Sequence, residues 1–189
     1  GASRETWRFT ADDRALILQR QRSGDQRNML IEAGVVRAAR HGGVPVPELI
    51  DARRRDDGMA FMVLEAIDGE TIARKIQRDD DYAGARPRLA ADFGRALARI
   101  HALDTSGVEG LEATDQLAYY TGVLDSLGQA HPVLELVRNW LVDARPASER
   151  TCVVHGDFRL GNVIVGPDGL RAVIDWELAH LGDPMEDLG

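Results

Sequence analysis

Thr6-Trp7-Arg8-Phe9 alternates polar with apolar, Thr10-Ala11-Asp12-Asp13-Arg14 supplies a turn, and Ala15-Leu16-Ile17-Leu18-Gln19 resumes as a strand. Together they predict a β-hairpin. Residues 25–40 are helix formers, with Asp25 as the cap, apolar positions at Met29, Ala33 and Val36, and Gly42-Gly43 as the stop. Val44-Pro45-Val46-Pro47 is extended, because each proline pushes its predecessor out of the helical region. Leu49-Ile50-Asp51-Ala52 and Ala60-Phe61-Met62-Val63-Leu64 follow as strands about a charged turn, and residues 65–70 make a short polar crossing.

Beyond that crossing the period becomes helical. Leu89, Phe93, Leu97 and Ile100 share one face of residues 87–103, and residues 116–127 give a weaker helix. His131-Pro132 opens a firmer one with Val133, Val137, Trp140 and Leu141 as its stripe. This helical block is expected to support the last third of the chain, where strands Val153-Val154, Val163-Ile164-Val165 and Val173-Ile174 enclose a polar loop and a Gly166-Pro167-Asp168-Gly169 turn.

Composition narrows the class. With 189 residues, 44% hydrophobic and 29% charged, the chain resembles a soluble globular protein of one or two domains. A net charge of -8 argues against a nucleic-acid partner, which would need a basic surface. No apolar run suits a membrane span and no signal peptide is seen, so the expected location is cytoplasmic. Cys152, the one cysteine, allows no internal disulfide and is expected as a small buried hydrophobe.

The polar loop adds chemistry. His155-Gly156-Asp157, with Asn162 five residues on, has the H-x-D-x-x-x-x-N spacing of phosphoryl-transfer catalytic loops, and Asp175 ends the next strand where the second magnesium ligand falls. Mg²⁺ takes hard oxygen ligands, so Asn162 and Asp175 are the candidate metal residues and Asp157 the candidate catalytic one. Asp157 would orient the acceptor hydroxyl and accept its proton late. His155 is expected to shape the loop, and Arg159 to neutralise phosphate or anchor a carboxylate, with a structural ion pair as the default. A metal hydrolase is disfavoured because no H-E-x-x-H occurs, and a protein kinase because no A-P-E segment follows Asp175.

His155 to Asn162, then Ile174-Asp175-Trp176-Glu177 and Gly182-Asp183-Pro184-Met185-Glu186-Asp187-Leu188, resemble the aminoglycoside phosphotransferase family. The wording is most similar to the branch containing the kinase domains of acyl-CoA dehydrogenase family members 10 and 11. The resemblance implies a protein-kinase-like α+β fold of two lobes, with residues 1–66 as a nucleotide-binding sheet lobe and 67–189 as a helical lobe. It implies ATP and Mg²⁺ as cofactors and the hydroxyl of a small molecule, hydroxyacyl-CoA-like or antibiotic-like, as acceptor. Relatives carry further helices, so the C-terminal lobe is expected to be incomplete.

Several roles rest on that resemblance. Ser3 would end a loop over the ATP phosphates. The strand position that holds a lysine in kinases has Gln19-Arg20 here, with Arg20 the first choice for the phosphate-binding cation, Gln19 its competitor, and Glu32 its helical partner. Backbone groups of Glu65, Ala66 and Ile67 would bind adenine at the hinge. The segment from Asp183 would help hold the catalytic loop, with Asp183 as N-cap and Pro184 as first helical residue. With the lysine missing, a non-catalytic nucleotide-binding scaffold is the rival reading.

Overall fold

The computed structural model describes residues 4–23, 27–146 and 150–188. Strands β1 (Arg4–Ala11) and β2 (Arg14–Gln21) form the expected hairpin. Its turn residues Asp12 and Asp13 both lie at positive φ, 48° and 58°, as a tight two-residue hairpin requires.

Helix α1 (Met29–His41) starts later than its composition predicts, because Asn28 takes the cap and accepts from the Leu30 N–H at 3.1 Å. Asp25, the expected cap, lies outside the described residues. The helix stops where the glycines predict, with the Gly42 N–H returning to the Ala38 carbonyl and Gly43 at φ 75°.

Strands β3 (Leu49–Arg54) and β4 (Ala60–Glu65) complete an antiparallel sheet of order β1-β2-β4-β3. Helix α1 lies on β3 and β4 and buries Met29, Ala33, Val35, Val36 and Ala39.

The chain then crosses to the helical lobe. Gly69, at φ 153°, allows the crossing to press on the Val165 backbone, where an added Cβ would lie 2.8 Å from the Val165 carbonyl oxygen. Glu70 and Val165 exchange both backbone hydrogen bonds there, at 2.9 and 3.0 Å. A short helix α2 (Ala73–Arg78) follows; its six residues bury only Ile76, too little for a periodic signal.

Helix α3 (Arg86–Ile100) packs on the later hairpin of β6 (Val163–Gly166) and β7 (Gly169–Val173). Strand β5 (Cys152–Val154) pairs antiparallel with β8 (His180–Gly182), whose three residues carry no strand pattern of their own. One hydrophobic core joins both lobes, running from Val36 and Met62 under the sheet through Ile100 and Val165 to Trp176.

Helices α4 (Gln116–Ser126) and α5 (Pro132–Ala144) depart from expectation. Their apolar stripes do not brace the catalytic hairpin: neither helix has a buried residue, they pack on each other, and Val133 and Trp140 are 73% and 64% exposed. Among the described residues no helix is long and apolar enough to cross a membrane.

These burial differences set the mutational response. Ile100→Ala, in the shared core, should destabilise the chain by about 2–5 kcal/mol, whereas Val133→Ala on α5 should change stability by under about 0.5 kcal/mol. Urea unfolding midpoints at unchanged slope would measure both.

Candidate active site

The loop between β5 and β6 is held by a carboxylate from the end of the chain. Asp187 accepts the His155 N–H at 3.0 Å and the Gly156 N–H at 2.9 Å, and meets His101 Nε2 at 2.8 Å. Asp187 belongs to a single 3₁₀ turn, Pro184–Asp187, which Asp183 opens with a capping box and Pro184 at its first position. The expected cap and the expected support of the loop are both formed.

Gly156 lies at φ 81°, and a Cβ there would meet the Leu178 carbonyl oxygen at 2.6 Å. His155 is fully buried against Trp176, at 4.8 Å between rings, and its Nε2 lies 3.0 Å from the Ile174 carbonyl oxygen. It ties the loop to the strand leading into Asp175, the shaping role its position suggested.

Loop and hairpin converge on one cluster. The Asn162 amide donates to the Asp157 carbonyl at 2.9 Å and to Asp157 Oδ2 at 2.6 Å. Arg159 Nε contacts both carboxylate oxygens, at 3.0 and 3.1 Å, so the expected ion pair fixes the Asp157 side chain. With its nitrogen so engaged, Asn162 keeps Oδ1 without a donor among the described residues. Asp175 sits at φ 65°, unusual for a residue other than glycine, and no hydrogen bond or ion pair reaches its carboxylate among the described residues. Burial raises its pKa, the Glu177 and Asp157 charges add to this, and Arg4 and His155 oppose it.

A cavity of about 510 Å³ lies between the sheet and this cluster. Asn162 and Asp175 line it, with Glu32 and Glu65 from the sheet side and Ile67 from the crossing between the lobes. An oxygen-only donor set carrying negative charge suits a hard divalent cation, and the Asp175 carboxylate, solvent-accessible and unpaired among the described residues, fits that use. Among the described residues no preformed group of three or more His, Cys, Asp or Glu ligands stands ready. A magnesium ion held by Asn162 and Asp175 would need further oxygens from a ligand such as a polyphosphate, the usual arrangement for this ion.

Two expectations are corrected. Arg20 does not meet Glu32: the Glu5↔Arg20 register puts it on the other face of β2, where it pairs with Glu5 and lies 5.3 Å over the Trp7 ring. The partner of Glu32 is Arg4, with a contact of 2.7 Å, and Gln19, not Arg20, faces the cavity alongside Ile17. Ala66 is absent from the lining and its N–H is taken by the Ala15 carbonyl at 3.0 Å. Ser3 lies outside the described residues.

The loop anchor and the buried imidazole each make a measurable demand. Asp187→Ala would leave the buried His155 N–H unpartnered, at about 1–3 kcal/mol, and the part-buried Gly156 N–H at less, so the melting temperature should fall and any turnover should collapse with it. Burial holds the His155 pKa below its usual value, so the unfolded chain takes up this proton first. Its contribution is complete above about pH 6.5 and is lost as pH falls from there toward the lower folded value. Urea midpoints from pH 8 to 5 should decline on the acid side, and His155→Gln should flatten that decline.

The whole chain, residues 1–189, matches the phosphotransferase enzyme family. Acyl-CoA dehydrogenase family member 10 of Mus musculus is 30% identical, aligned over 100% of this chain and 19% of that protein. Family member 11 of Rattus norvegicus is 32% identical over 77% of this chain and 20% of its own. The chain thus spans about a fifth of the length of these relatives. A crystal structure of a thermostable mutant of aminoglycoside phosphotransferase APH(4)-Ia, in ternary complex with AMP-PNP and hygromycin B, superposes with a TM-score of 0.74 at 16% identity. It covers 100% of this chain and 68% of that one, and the shared fold is the two-lobed protein-kinase-like one. By its match from first residue to last, the chain belongs to the phosphotransferase enzyme family.

Proposed function

We propose that this chain binds ATP with Mg²⁺ and transfers the γ-phosphoryl group to a hydroxyl of a small molecule. The observation that carries this is the junction of Asp157, Asn162 and Asp175: a carboxylate fixed by Asn162, next to two oxygen donors that line an interlobe cavity. Residues 1–66 would form the nucleotide lobe and 67–189 the catalytic lobe.

Apolar Ile17 and Leu64 on the sheet side and Ile164 and Ile174 on the other suit a planar base. Within the hinge, the Glu65 and Ala66 N–H groups are committed to Glu48 and Ala15, leaving the Ile67 N–H as the candidate donor to adenine. The Asp175 carboxylate and Asn162 Oδ1 would hold Mg²⁺, which neutralises charge on the polyphosphate. Asp157, oriented by Asn162 and Arg159, accepts a hydrogen bond from the acceptor hydroxyl. As that oxygen bonds to the γ-phosphorus and the bond to the β-phosphate oxygen breaks, Asp157 takes the hydroxyl proton and ADP leaves.

Two acceptor classes have support. Relatives named as acyl-CoA dehydrogenase family members suggest a hydroxyacyl-CoA-like alcohol, and a structural neighbour in complex with hygromycin B suggests an antibiotic hydroxyl. A cytoplasmic setting, where ATP is abundant, fits either.

The test is ADP release over a panel of both acceptor classes, alongside calorimetric binding of AMP-PNP with Mg²⁺. Asp157→Ala should cut turnover by roughly 10²–10⁴-fold while AMP-PNP affinity stays within about threefold. Nucleotide binding without turnover on any acceptor would favour the scaffold reading, and loss of binding in the variant would reassign Asp157.

A further inference from the structure

We infer that Arg4, on the first strand, is the cation that grips the nucleotide phosphates, held ready by Glu32; this rests on ATP being the cavity's ligand. The pairing register Thr6↔Gln19 and Arg4↔Gln21 places Arg4, Thr6, Ile17 and Gln19 on the cavity face of the hairpin. The intervening Trp7, Leu18 and Arg20 line a separate groove on the outer face. Strand parity therefore removes Arg20 from the site and puts Arg4 into it.

Arg4 is built in as few surface arginines are. It is 6% exposed, contacts Glu32 at 2.7 Å and Glu177 at 3.2 Å, and donates to Gln19 Oε1 at 3.3 Å. Among the described residues its Nε is buried without a partner. Burial opposes its charge, but Glu32, Glu177 and Asp175 outweigh this and hold the guanidinium cationic. A buried ion pair with a donor left over is poor economy for stability alone, since desolvation cancels much of the Coulomb gain. A guanidinium is a planar fork of donors that matches phosphate oxygens, and a ligand would take over its longer contacts, to Gln19 at 3.3 Å and Glu177 at 3.2 Å.

Charge in the cavity makes this residue decisive. Among the described residues that line it, Arg4 is the only basic one, against Glu32, Glu65, Asp175 and Glu177. A polyphosphate entering there meets net negative charge, relieved by Arg4 and by the divalent cation it carries. Glu32 plays the part a helical glutamate plays toward a strand lysine in kinases. Here the cation comes from one strand further out, and Gln19 occupies the inward position on β2.

The experiment compares calorimetric binding of adenosine, ADP and AMP-PNP, with Mg²⁺, to the wild type, Arg4→Gln, and Arg4→Gln with Gln19→Lys. Arg4→Gln should weaken ADP and AMP-PNP by roughly 10- to 100-fold while adenosine changes less than about twofold. Because Gln19 Oε1 lies within reach of the Arg4 guanidinium, Gln19→Lys should restore about tenfold or more of the loss. Unchanged AMP-PNP affinity in Arg4→Gln overturns the assignment while leaving ATP binding intact. Equal loss of adenosine and AMP-PNP marks Arg4 as structural and also overturns it. A wild type that binds none of the three overturns the ATP reading itself. Should Arg4→Gln melt, Gln19→Lys in the wild type must tighten AMP-PNP but not adenosine, and its failure to do so overturns the inference.

Discussion

The site depends on one carboxylate at the far end of the chain. A loop that leaves β5, turns through Gly156 at positive φ and rejoins at β6 cannot satisfy its backbone N–H groups from a strand ladder. Asp187 supplies the acceptors for two of them, and His101 at the end of α3 meets the same carboxylate. Sequence separations of 31, 32 and 86 residues thus close on one group. The Asp157 geometry is inherited from that closure: the loop is fixed first, and Asn162 and Arg159 then orient the side chain.

Electrostatics follow from where the fold leaves the acids. Asp175, Glu177 and Glu32 lie along one cavity with a single basic residue, Arg4, among its described lining. Burial raises Asp175, and like charges reinforce the shift. The Arg4–Glu32 pair shows opposed pressures: burial pushes the Glu32 carboxyl up while Arg4 pulls it down. A guanidinium does not deprotonate in a protein, so a charged pair at 2.7 Å is the state that fits the geometry. An acidic cavity of this kind is costly when empty and suited to a ligand that brings its own cation.

The grouping of the candidate site's residues was legible in the sequence because its information is local. Asp157, Asn162 and Asp175 fall within nineteen residues, bounded by apolar strands and a glycine turn that fix which ends meet. Its anchor was less so, since nothing around Asp187 encodes a partner thirty residues away beyond a resemblance of segments. The face of Arg20 was misplaced for a different reason. Leu16-Ile17-Leu18 is apolar on both faces, so composition could not say whether Gln19 or Arg20 points inward. Only pairing with β1 decides it, and the same pairing brings in Arg4, a residue near the start of the chain with no motif of its own. The stripes of α4 and α5 mark a further limit: amphipathicity specifies that a face is apolar, not which element covers it.

Glu177 connects these threads. It contacts Arg4 at 3.2 Å and Arg27 at 2.7 Å, and stands two residues beyond Asp175. The first strand, the start of α1 and the segment that presents Asp175 are therefore tied through one acidic side chain. Any ligand that draws Arg4 toward itself changes the balance between Glu32 and Glu177, and through Glu177 reaches the backbone carrying Asp175 at its unusual φ of 65°. The lobes are thus joined by a shared arginine as well as by the common core.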